Sequence, residues 1–397
     1  MKSVVFGFDS VRPSELAYRP VTKARATTQR IPAFDYLRAF VIFLVVVHHA
    51  VMAYCTGGHP AHGGNYINGS APVVDGAQWG GFNLVVMWND GFFMPLMFLL
   101  AGLFVRPSLA RKGLGHYLVD RALRLGVPLL IGLVTVVPLS YYAAYQQAGG
   151  TAGFASFWAH MVAQGPWPSG PMWFVGALLV FDTAAVSLLT CPGIEARVRR
   201  WGTALDRRSP SLWFAIFVGL AALAYLPLDV VVGPSAWMTA GPFGIQASRI
   251  GLYGFFFIAG MIVGADRLAE AFDQHWLRWP SLAVFATALV VALDGSKLPD
   301  ALDGTVTLVF AAAMAAGLLA LAVRFGRRRS AVGDSLSANA YGIYLLHWPI
   351  VIWLQVALLP VPLGPLDKGL LAIVVGFGLS WLAAALLRAV PGVSRVL

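Results

Sequence analysis

The sequence predicts an all-α fold, a polytopic transmembrane helical bundle of about ten membrane helices with both termini cytoplasmic. Composition is the first reason. Of 397 residues, 58% are hydrophobic and only 12% are charged, whereas a water-soluble domain carries about twice that charged fraction. The second reason is a series of ten apolar segments, roughly 34–54, 82–105, 126–145, 171–191, 211–228, 249–265, 279–295, 304–325, 338–359 and 369–390. Most approach the 20 residues that cover about 30 Å of hydrocarbon at 1.5 Å per residue. The third reason is charge. Of the 28 Lys and Arg, 25 fall in the tails and alternate loops, leaving Arg249, Lys297 and Lys368 for the other side. Lys and Arg favour the cytoplasmic side, and miscounting one helix would scramble the alternation. The same distribution accounts for the net charge of +10, so no nucleic-acid partner is expected. Cys55 and Cys191 fall on opposite sides, and no disulfide is expected between them.

Taken in order, residues 1–30 read as a polar cytoplasmic tail, without the apolar run and small-residue cleavage site of a signal peptide. Residues 31–397 read as one transmembrane domain. Its first helix, FDYLRAFVIFLVVVHHAVMAY, carries Asp35, Arg38, His48 and His49. Arg38 and His49 are eleven positions apart, which at 100° per residue returns to one face within roughly 20°, about 16 Å along the axis. Asp35 lies one turn before Arg38, at pairing distance. That stripe must face protein or water. His48 points about 100° away and reads as a hydrogen-bonded structural neighbour.

The outer loops 55–80 and 146–170 are Gly-rich, with Trp79, Trp158, Trp167 and Trp173 near their ends as an interfacial belt. Cys55, His59 and His62 have a metal-like spacing but no fourth ligand nearby, so no metal is expected. In the second segment Asn89 and Asp90 sit at a depth comparable to His49. A carboxylate there costs about 2.5–3.5 kcal/mol unless partnered, and Asp90 is expected to orient the His49 imidazole. The loop before the third segment ends in Arg121-x-x-Arg124, a spacing that lets two guanidiniums grip phosphate oxygens or merely sets topology. Asp182, in the fourth segment, is a buried acid without an obvious partner. The ninth segment, ANAYGIYLLHWPIVIW, puts His347 near mid-membrane beside Tyr344, with Pro349 freeing a carbonyl. The sequence contains no GxxxxGK[ST] loop, GxSxG elbow or HExxH helix, which removes nucleotide-driven transport and the common hydrolase plans.

Together these residues resemble the acyltransferase 3 family of bacterial integral-membrane O-acyltransferases, over about residues 30–390. The most telling match is Arg, ten residues, His in the first helix, here Arg38 and His49. Arg121 and Arg124 in DRALRLGVPLLIG, MWFVGALLVF at 172–181 and YGIYLLHWPIVIWL at 341–354 match further segments in order. FFMPLMFLLAG and YGIYLLHWPIVIWLQVALL are similar to the branch containing glucan-modifying succinyltransferases. The second helix ends Ala101-Gly102 where the family often has Ser-Gly, so no role is carried over for that serine.

The resemblance implies acyl transfer from cytoplasmic acyl-CoA, such as acetyl-CoA or succinyl-CoA, to a hydroxyl of a cell-envelope sugar or lipid-linked glycan, at a bacterial inner membrane. Acyl-CoA enters as co-substrate, and no bound cofactor is implied. Arg121, Arg124 and Arg38 would hold its phosphates. His49 would be the general base or form a transient acyl-imidazole, with Asp90 and His347 as further catalytic candidates. The competing class is a transporter of small polar or acidic solutes, using the buried His and Asp as a proton relay. No inverted repeat or pair of broken helices speaks for it.

Overall fold

The computed structural model describes residues 32–205, 209–273 and 276–397. The expected tail 1–30 lies outside the described residues. The described chain runs α1 (Pro32–Met52), α2 (Gly80–Gly102), α3 (Val105–Lys112), α4 (Leu114–Arg121), a π-helical turn (Ala122–Gly126), α5 (Val127–Val134), α6 (Val136–Gln147), α7 (Phe154–Gln164), α8 (Met172–Thr190), α9 (Ile194–Leu205) and α10 (Pro210–Val232). A hairpin, β1 (Trp237–Ala240) and β2 (Phe243–Gln246), leads into α11 (Ile250–Val263), α12 (Ala265–Asp273), α13 (Arg278–Leu293), α14 (Asp300–Phe325), α15 (Ala331–Leu358) and α16 (Pro365–Ala389).

All ten segments expected from hydropathy are helical. Among the described residues eight spans pass a length-and-hydropathy test for crossing a membrane, and a ninth is counted if α11 and α12, bent by 90°, are taken as one span. The 16-residue α13 is apolar but shorter. The third span starts earlier than expected, at Leu114 rather than near 126, and runs in pieces to Gln147. Prolines explain the pieces. Pro128 has no N–H for the carbonyl four residues back, Arg124, and the Tyr341 hydroxyl donates to that carbonyl at 2.6 Å. Pro138 likewise leaves the Val134 carbonyl, which accepts from Trp158 Nε1 at 2.8 Å. Trp167 Nε1 donates to Leu133 O at 3.1 Å. Two tryptophans expected only as a belt therefore also close a broken helix.

The core lies where α1, α2, α14 and α15 meet, and α10, α13 and α16 form the rim. About two thirds of the spanning windows of α2 and α14 are buried, against 17% for α10 and 22% for α16. Rim residues such as Leu223, Val284 and Val374 are exposed, the pattern for a surface solvated by lipid rather than water. Where α2 crosses α11, glycine is required on both sides. A Cβ on Gly102 would lie 2.0 Å from Phe257 O, and one on Gly260 would lie 2.2 Å from Leu99 O.

The loop contacts that follow each join two segments from the same side of the charge alternation. At the Lys- and Arg-poor end, Gln147 bonds both backbone groups of Val74, Gly64 N donates to Ala148 O, and the Tyr66 hydroxyl donates to Pro166 O. Lys368 and Asp75, both almost fully buried, pair there at 2.7 Å and tie the 55–80 loop to the start of α16. At the Arg-rich end Tyr36 donates to Asp334 and Arg327 pairs with Asp273.

Candidate active site

The deepest polar feature joins α1 to α15. His347 Nε2 lies 3.1 Å from His49 Nδ1, and His347 Nδ1 lies 2.6 Å from Tyr344 O. His49 Nδ1 is also 2.9 Å from Val45 O. The acceptors dictate the protons. A carbonyl only accepts, so His347 Nδ1 carries the hydrogen, and in the neutral ring Nε2 is then an acceptor. His49 Nδ1 faces that acceptor and the Val45 carbonyl, so it too carries the hydrogen. The remaining lone pair of the chain is on His49 Nε2. His347 is fully buried behind His49 and does not line the adjoining cavity.

Gln355, eight residues beyond His347, fixes α1 relative to α15. Its Nε2 donates to His49 O at 2.9 Å and Ala50 O at 3.0 Å. These carbonyls belong to the last turn of α1, where no helical N–H follows to bond them. The amide thus caps α1 at the residue whose imidazole matters.

His49 forms part of the wall of a cavity of about 330 Å³. The 66–72 stretch of the first outer loop and the β-hairpin, through Trp237 and Gln246, form its Arg-poor side. Trp173, Tyr141, Tyr253, Tyr344 and Trp348 add an aromatic lining. Trp348 packs over Gly170, whose φ of +48° and lack of side chain allow the approach. Burial pushes the Tyr66 hydroxyl up to about 12, so it remains a protonated donor to Pro166.

His48 also lines this cavity. Contrary to the expectation of a hydrogen-bonded neighbour, its Nδ1 has no partner among the described residues, and its ring packs on Phe93 with centroids 5.3 Å apart.

Asp90 lines the cavity too but does not orient His49, which corrects the expectation. Its Oδ2 takes Arg249 Nη1 at 2.8 Å, and the same Nη1 donates to Asp90 O at 3.0 Å. A carboxylate gains more from a permanently charged guanidinium than from a neutral imidazole. Arg249, from the Arg-poor side, was legible only as one of three exceptions to the charge rule.

None of the three arginines expected to hold phosphate lines the cavity. Arg38 lies 3.5 Å from Asp35, with its guanidinium 5.2 Å from the Phe104 ring centroid. Arg121 Nε lies 3.0 Å from Asp182 Oδ2, and the Tyr117 hydroxyl donates to Asp182 Oδ1 at 2.9 Å. Asp182 therefore has two partners, and Arg121 is neutralised by one of them. Arg124 Nε and Lys112 Nζ share Asp120, at 3.2 and 2.7 Å. Among the described residues no cluster of three or more His, Cys, Asp or Glu has the form of a metal site.

A His–His chain ending in a lone pair on a cavity wall is a base, and by itself it does not specify the electrophile it serves. No curated protein and no solved structure matches the chain. A family model described as an acyltransferase domain, acyltransferase 3, matches residues 31–385. That span holds both histidines, the cavity and the three arginines, and the chain belongs to the acyltransferase 3 family.

Proposed function

We propose that this membrane acyltransferase moves an acyl group from cytoplasmic acyl-CoA to a hydroxyl of a glycan or glycolipid acceptor that enters from the Arg-poor side. The observation that carries this reading is the directional chain Tyr344 O, His347, His49, which leaves the His49 Nε2 lone pair beside the cavity. An acceptor hydroxyl bonded to Nε2 gives up its proton as its oxygen attacks the thioester carbonyl. The new C–O bond forms, the C–S bond breaks, and the proton on His49 passes to the departing CoA sulfur. His49 gains positive charge in this step. Its Nδ1–H bond to His347 strengthens accordingly, and His347 in turn is polarised by Tyr344 O. His347 is thus a positioning residue rather than one that touches substrate. The aromatic walls suit a sugar ring, whose C–H faces pack on π surfaces. On this reading Arg38, Arg121 and Arg124 would take the CoA phosphates, and the pantetheine arm would cover the roughly 16 Å up the first helix.

The test uses purified protein in detergent with acyl-CoA and a sugar acceptor, and no gradient. Release of free CoA together with acylated acceptor is the expected result. A transporter relaying protons through the same groups makes neither product, and that outcome would sink the enzyme reading. Mass spectrometry of envelope glycans from cells with and without the gene names the acyl group and the acceptor together.

A further inference from the structure

A second cavity, of about 230 Å³, shares no lining residue with the first. It lies between α10, α11, α13 and α14. Its walls are apolar, with Phe214, Phe217, Ala259, Ala312 and Ala316 among them. The amphipathic α12 covers its Arg-rich end. That helix turns 90° from α11 at Gly264, whose φ of +77° permits the corner, and it buries Leu268 and Phe272 while presenting Asp266 and Glu270 outward. A short helix perpendicular to a span, apolar on one side, sits at the level of lipid headgroups.

The rim of this cavity holds hydrogen-bond donors without acceptors. Trp279 is 4% exposed and lines the cavity, yet its Nε1 has no partner among the described residues. The neighbouring Arg278 places its guanidinium 4.5 Å from the Trp279 ring centroid. Its Nη1 reaches Ser211 Oγ at 3.3 Å, but Nε and Nη2 are buried with no partner among the described residues. Arg267 adds a second guanidinium to the lining, and Glu270, the acid of the lining, is exposed to solvent. A buried donor left unmatched keeps its full desolvation cost, which is larger still when the donor is charged. An occupant that repays this needs acceptor oxygens, a negative charge, and an apolar tail for the walls.

We propose that this cavity binds one anionic phospholipid, with an acyl chain between α10, α11, α13 and α14 and its phosphate on Arg278 and Trp279 Nε1. A water-filled apolar cavity is unfavourable, whereas a lipid chain enters sideways from the surrounding bilayer. The charge selects the headgroup, and the cavity selects a lipid over a free anion.

The test is made on the delipidated full chain in neutral detergent. Phosphatidylglycerol and phosphatidylcholine carrying dibrominated acyl chains are titrated separately, and tryptophan fluorescence is read. Phosphatidylglycerol should quench saturably and half-saturate about tenfold below phosphatidylcholine, the ratio expected for one charged hydrogen bond. The saturable component should shrink in Trp279→Phe, what remains coming from Trp213 in the same lining, and Arg278→Gln should bring the two lipids to within two- to threefold. Ala316→Phe, which fills the pocket without touching the rim, should weaken both. Should that variant fail to fold, the wild-type comparison still decides. Equal quenching by both lipids, a preference unchanged in Arg278→Gln, or displacement of the lipid by millimolar inorganic phosphate alone overturns the proposal.

Discussion

The cavity histidines and the arginines of the Arg-rich end are partnered in opposite ways. At the Arg-poor end the histidines are joined in series, from Tyr344 O through His347 to His49, and the series ends in an open lone pair. At the Arg-rich end the charges are closed into pairs, Arg121 with Asp182, Arg124 and Lys112 with Asp120, and Arg38 near Asp35. A neutral series in a low-dielectric interior directs its free acceptor at whatever enters the cavity. A closed pair must open, or share its cation, before it can hold a phosphate. The first arrangement is built for chemistry at one atom, the second for binding in competition with resident carboxylates.

The comparison breaks most directly at His49. His49→Ala should lower transfer by about 10²–10⁴-fold at matched amounts of folded protein, with acyl-CoA binding retained. Activity within a few-fold of the parent would place the base elsewhere. His347→Ala comes next, with a loss of about 10–100-fold, the usual effect of removing the group that orients an active imidazole. If His347 merely filled space, His347→Phe would restore transfer, and that result would refute the series.

The closed pairs are tested by a cycle. Arg121→Ala leaves the buried Asp182 with the Tyr117 hydroxyl but no cation and should cost about 3 kcal/mol of stability. Arg121→Gln combined with Asp182→Asn should recover most of it in thermal melts. A double variant whose destabilisation equals the sum of its two single variants shows no coupling between the two.

Competition predicts a change of opposite sign at the neighbouring pair. Arg124→Ala should raise KM for acyl-CoA about tenfold, since one charged hydrogen bond contributes about 1.5–3 kcal/mol. Asp120→Asn, which releases Arg124 and Lys112, should lower it. Donor titrations in which both variants leave KM unchanged would make the cluster a topology signal alone. The smallest effect is expected at His48, where His48→Ala should cost only a few-fold, chiefly in KM for the acceptor. A dead His48→Ala with an active His49→Ala would exchange their roles.

Local properties sufficed for much of this protein. Hydropathy and the charge of the loops determine the helical bundle and which loops gather at each end, because both depend only on residues near in sequence. Helical period alone places Arg38 and His49 on one stripe. The choice of partners was decided by tertiary structure. His49 meets His347 across 298 positions and Asp90 meets Arg249 across 159. Depth in the membrane is readable from a single helix, and it made Asp90 a reasonable neighbour for His49. Which helix actually packs against which, and which way each ring turns, is set by close approaches such as Gly102 against Phe257 and Gly260 against Leu99. Once those are made, the carboxylate takes the permanent cation within reach and the two imidazoles are left to each other.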